Sequence, residues 1–123
     1  MDNCPKKVFI VEDNPYILEL VNYLVSKLGF DVSTCENVTD FNKLLKLNHP
    51  DLIILDIMLP DGNGLEVCEH LKTHSETSEI PIILMSAFTD IEGQVKKSLA
   101  NDFISKPFDI SDFTRRVQIQ MAS

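Results

Sequence analysis

The sequence predicts an α/β fold with a parallel sheet, and two observations carry that expectation. Short apolar runs rich in β-branched residues alternate with segments of helical spacing, and Pro, Gly or polar clusters punctuate them. Crossovers through helices return the chain to strands parallel to the last, so helices should cover both faces of the sheet. With 123 residues, 44% of them apolar, the chain can build one core, and a single domain over 1–123, ordered from about 5 to 121, is expected.

The strand-like runs are KVFIV (7–11), DVSTC (31–35), DLIIL (51–55), PIILM (81–85) and DFIS (102–105). The first helix follows Asn14 as cap and Pro15 at its first position, carries Ile17, Leu20, Val21, Leu24 and Leu28 on one stripe, and meets Gly29 as its stop. Leu18 and Val25 fall at the edge of that stripe, where they either widen the core contact or, if partly exposed, form a docking surface for a partner. A second helix over 38–47 offers Phe41, Leu44, Leu45 and Leu47 to the core; a third over about 64–74 offers Leu65, Val67, Cys68 and Leu71. A fourth over 89–101 keeps Ile91, Val95 and Leu99 four apart but is interrupted by Gly93, so it should be the least stable. The last, from Ser111, places Phe113, Val117 and Met121 on one row and Ile119 off it.

Charge and cysteine usage exclude several functions. A formal charge of −8, from 19 acidic against 11 basic residues, argues against binding the phosphate backbone of nucleic acid. Cys4, Cys35 and Cys68 are odd in number and lack CxxC spacing, which fits a reducing cytoplasm better than a disulfide framework or zinc site. No run approaches a signal peptide or membrane span, so a cytoplasmic protein without membrane contact is expected. His49, His70 and His74 are scattered over loop and helix positions and read as solvated surface residues.

Chemistry concentrates where strands end. VFIVEDNP and LIILDIML both run from an apolar strand into acid, Glu12 and Asp13 in one and Asp56 in the other. Open parallel sheets bind ligands outside the carboxyl ends of their strands, where strand order reverses. If these two strands flank that point, three carboxylates converge. Like charges about 4 Å apart repel by ~4 kcal/mol at an effective dielectric of ~20, so the cluster needs a cation or a proton. Few hard oxygen donors with room for water suit Mg²⁺, with Mn²⁺ as a substitute. Ser86 ends the fourth strand and Lys106 follows the fifth, which adds a hydroxyl and an ammonium to the same rim. Carboxylate nucleophile, divalent metal, hydroxyl and ammonium together make a phosphoryl-binding set.

Over its whole length the chain resembles the receiver domain of bacterial two-component response regulators, through Glu12-Asp13, Asp56 in LDIMLPDGNG, Ser86-Ala87 and Lys106-Pro107-Phe108, in order and at near-usual spacing. The resemblance implies a flavodoxin-like (βα)5 doubly wound sheet of order 2-1-3-4-5, an order for which a member of this family is a standard example. It implies that Asp56 accepts a phosphoryl group from a sensor histidine kinase or phosphotransfer protein. Mg²⁺ would be held by Asp13, Asp56 and the main-chain carbonyl of Met58, with Glu12 acting through water. The domain would not be an enzyme beyond its own phosphorylation and dephosphorylation. Ser86 and Phe103 would be the switch pair, and Lys106-Pro107 a cis peptide. The fourth helix, fifth strand and fifth helix would form the output face toward an effector domain or protein, or toward a phosphorylation-dependent dimer.

The segment from Ser86 to Lys106 is shorter than usual in the family, and Leu99 stands where Gly commonly ends the fourth helix. A short or mobile fourth helix is therefore expected over 89–99, ended at Asn101 through a left-handed backbone. Three other readings compete. A dehalogenase-type phosphatase would need a general acid at Met58, and a flavodoxin-type carrier a Ser/Thr/Gly-rich loop in place of EDNPY. An unphosphorylated pseudo-receiver, acting as a protein-interaction module, would normally have lost Asp13, Asp56 or Lys106, and all three are present.

Overall fold

A computed structural model describes residues 5–87, 93 and 98–122. Within it, strands β1 (Lys7–Val11), β2 (Asp31–Cys35), β3 (Leu52–Asp56), β4 (Ile82–Ser86) and β5 (Asp102–Ser105) form one parallel sheet of order β2-β1-β3-β4-β5. This is the 2-1-3-4-5 order of the flavodoxin-like receiver fold. Helices α1 (Pro15–Lys27), α2 (Val38–Leu47) and α3 (Gly64–Lys72) follow the first three strands, and a C-terminal helix spans Ile110–Met121. A two-residue antiparallel ribbon, Met58–Leu59 with Gly62–Asn63, turns the chain from β3 into α3.

Period-two alternation divides the sheet residues between two cores. Val8, Ile10, Leu52, Ile54, Ile83 and Met85 face α1 and the C-terminal helix. Phe9, Val11, Ile53, Leu55, Ile82 and Leu84 face α2 and α3. Central β3 and β4 are therefore buried at every residue, whereas edge strand β2 is buried only at Cys35. An apolar run before Asp56 is what a strand covered on both faces requires.

The caps follow from local chemistry. Asn14 accepts from the Tyr16 and Ile17 amides, Asn63 from Leu65 and Asp109 from Asp112, each satisfying orphan N–H groups at a helix start. Gly29, at φ 95°, takes the left-handed turn after α1 that a side chain would resist.

Three expectations are corrected. Val25 is fully buried and Leu20 is exposed, so the buried stripe of α1 is rotated from the one expected. The cause is the C-terminal helix, whose Phe113, Val117 and Met121 share a core with Val21, Leu24 and Val25. Val25 therefore offers no docking surface, while Leu18 remains half-buried at the stripe's edge. Leu47, in the last turn of α2, is exposed rather than in the core. Asn101 does not adopt a left-handed backbone. Its amide donates to the Ile82 carbonyl at 2.9 Å and its side chain accepts from the Ile82 amide at 2.9 Å, which ties the approach to β5 onto β4. The expected fourth helix lies outside the described residues apart from Gly93 and 98–101, and Leu99 to Asn101 are not helical.

Candidate functional site

Register brings the rim together. Val11 pairs with Leu55, so Glu12 and Asp56, the next residue of each strand, emerge side by side. Ser86 pairs with Ser105, which sets Lys106 just beyond the end of β4, and the Lys106 amide donates to the Ser86 carbonyl at 2.8 Å. The Lys106–Pro107 peptide is cis. Glu12 and Ser86 are fully buried and Asp56 is 4% exposed, while Asp13 faces solvent.

Lys106 bridges the two buried acids. Its Nζ donates to Glu12 Oε1 and to Asp56 Oδ2, the latter at 3.0 Å. Glu12 Oε2 accepts the Asn14 amide at 3.0 Å, and Asp56 Oδ1 accepts the Met58 amide at 3.3 Å. Burial pushes the Glu12 carboxyl up to about 7; hydrogen bonds from Lys106 and the Asn14 amide pull the other way, and neighbouring Asp56 adds to the rise. Burial acts to lower the Lys106 ammonium, but hydrogen bonds to Glu12 and Asp56 outweigh it and hold the group above its usual range. Two acids against one ammonium leave this pocket short of positive charge.

The donor set fits a hard cation. Glu12, Asp13 and Asp56 each offer a carboxylate oxygen within 4.8 Å of one another, the one such cluster of three metal-capable side chains among the described residues. Oxygen-only donors in this small number are those Mg²⁺ accepts. Met58 is 56% exposed at the start of the ribbon that follows Asp56. Phe103 on β5 is half-buried, pairs with Leu84 and borders the α2/α3 core.

Two residues that shape the site went unmarked in the sequence reading. A Cβ on Gly64 would lie 2.3 Å from the Asp56 carbonyl oxygen and 2.8 Å from Ile57 Cα, so only glycine lets α3 start this close to the strand end. The Gly64 amide completes the contact by donating to the Ile57 carbonyl at 2.7 Å. Asp61 reaches from the same turn to cap α2, accepting from the Val38 amide at 2.7 Å and the Thr39 amide at 3.0 Å. The signal for both was the PDGNG turn, which marks a turn without saying what it approaches.

Comparison with known proteins gives a uniform answer. The model of the response regulator receiver domain family matches residues 8–118. The phosphate regulon transcriptional regulatory protein PhoB of Escherichia coli is 33% identical over 118 residues, covering 94% of this chain and 52% of PhoB. The polar-differentiation response regulator DivK of Brucella anthropi is 34% identical over 116 residues, covering 93% of this chain and 94% of DivK. The crystal structure of the signal receiver domain of a signal transduction histidine kinase from Syntrophus aciditrophicus superposes with a TM-score of 0.87 at 28% identity, covering 95% of this chain and 90% of that one. The chain thus spans about half the length of PhoB but nearly all of DivK.

Proposed function

The chain belongs to the response regulator receiver family of two-component signalling, and on that premise we propose that Asp56 is its phosphoacceptor. The observation that carries the proposal is the pairing of Asp56 with Lys106 inside a cluster of three carboxylates at the sheet's rim. An Asp56 oxygen attacks the phosphorus of a phosphohistidine on a sensor kinase or phosphotransfer protein. The P–N bond breaks, and its electron pair stays on the imidazole nitrogen of the donor. Lys106, already 3.0 Å from Asp56, meets the charge arriving on the phosphoryl oxygens.

Asp13, Asp56 and the Met58 carbonyl would hold Mg²⁺, or Mn²⁺ in its place, with Glu12 acting through water. Such an ion, when bound, supplies the positive charge the pocket lacks. Asp56 is held by β3, whose residues are all buried, and so presents its carboxylate from a rigid base. After phosphorylation the Ser86 hydroxyl turns toward a phosphoryl oxygen and Phe103 moves inward, biasing the face that carries β5 and the C-terminal helix. Output passes to a further domain, as in longer regulators, or to a second protein. No helix among the described residues is long and apolar enough to cross a membrane.

Incubation with acetyl phosphate and Mg²⁺ should add one phosphoryl mass to the wild type and none to Asp56→Asn. A wild type that gains no mass, or an Asp56→Asn variant that gains as much, overturns the assignment.

A further inference from the structure

Two histidines four apart in sequence meet at the end of α3 away from the acid rim. His70 lies in the last turn of the helix, and His74 follows its C-cap, Thr73. Their ring centroids are 4.0 Å apart with the planes inclined at 42°. His74 Nδ1 lies 2.7 Å from the His70 main-chain oxygen. A carbonyl can only accept, so Nδ1 carries the proton, and the neutral ring keeps its Nε2 lone pair for a ligand. A bond of this type is what orients and fixes the tautomer of imidazoles that ligate metals. The carboxyl end of the helix dipole further favours a cation there.

We propose that His70 and His74 form a two-armed site for a late first-row divalent cation of the Zn²⁺, Ni²⁺ or Cu²⁺ class, with water completing the coordination. Imidazole nitrogen suits these ions and not Mg²⁺, which seeks oxygen, so the two sites of the chain select different metals. They are also separate in space. Helix α3 begins at Gly64 against Asp56, and its 9 residues carry the chain about 13 Å from that point before His74. Glu66, one helical turn before His70, lines the same cavity between α2 and α3 as His70 does. Both imidazoles are exposed, so an ion can enter without rearrangement of the fold.

Calorimetric titration of the chain with Zn²⁺ in excess Mg²⁺, which keeps the carboxylate rim filled, tests this directly. One Zn²⁺ per chain is expected, with affinity reduced by about tenfold or more in His70→Ala and in His74→Ala, because each variant loses one arm of a two-armed ligand. In the unaltered protein, Zn²⁺ should shift the imidazole resonances of His70 and His74 and leave those of His49 in place. Equal affinity in wild type and both variants, loss of binding in Asp13→Asn instead, or unshifted His70 and His74 resonances would each overturn the proposal.

Discussion

Two acid–base networks among the described residues use the same chemistry in opposite surroundings. At the rim, Glu12 and Asp56 are buried and share one ammonium, Lys106. On the C-terminal helix, Asp112 accepts from Arg115 at 2.7 Å and Arg116 at 2.9 Å, and Arg116 also donates to Asp102 at 2.6 Å, all of them partly in water. Hydrogen bonds from Arg116 and then Arg115 hold the Asp112 carboxyl below its usual range, whereas burial drives Glu12 the other way, to about 7. Ion pairing alone thus does not set the direction of a shift; burial without enough counter-charge reverses it. The helix network pairs two acids with two guanidinium groups, whereas the rim sets two buried acids against one ammonium.

Removing Lys106 tests the contrast most severely. Lys106→Ala leaves two buried acids with no cation and should cost roughly 3–5 kcal/mol in metal-free urea denaturation, with a large part regained in Mg²⁺. No loss in the presence of a chelator would mean that the rim is better solvated than its burial indicates.

Next comes pH. Because the folded-state value of Glu12 is raised from 4.5 to about 7, its contribution to stability is fully present below pH 4.5 and is lost as pH rises through 7. Glu12→Gln stays neutral, so in metal-free buffer its stability should gain on the wild type across that window, by up to roughly 3 kcal/mol. Parallel curves for the two proteins would remove burial as the cause. Gly64→Ala forces α3 off the Asp56 carbonyl and should cost about 1–3 kcal/mol while slowing phosphorylation by acetyl phosphate. Retention of both stability and rate would show that the strand end yields easily. Smallest of all is Asp112→Asn, which should leave the urea midpoint unchanged within error, since exposed pairs contribute little.

Much of this was legible along the chain. Five strands, the first three helices, the Asn14 cap of α1 and the cluster of Glu12, Asp13, Asp56, Ser86 and Lys106 follow from period-two and helical spacing, Asn before a helix, and acid after an apolar run. Errors arose where a second element decides. Val25 and Leu20 exchanged places because the C-terminal helix packs on one side of α1, which the spacing of α1 cannot reveal. Asn101 bonds Ile82 through its main-chain amide and its side chain in place of a helix-ending turn. His70 and His74, scattered to the eye, became neighbours through one turn of chain beyond α3.

The sequence by itself determined the fold class and the chemical inventory of the rim, because alternation and strand-end residues are local properties of the chain. Tertiary structure alone decided how that inventory is charged and spaced. Only the β1/β3 register sets Glu12 beside Asp56, burial and then that neighbouring acid raise Glu12, and only the approach of α3 makes Gly64 necessary. Each depends on distance and solvent exclusion between segments remote in sequence, quantities that no local pattern encodes.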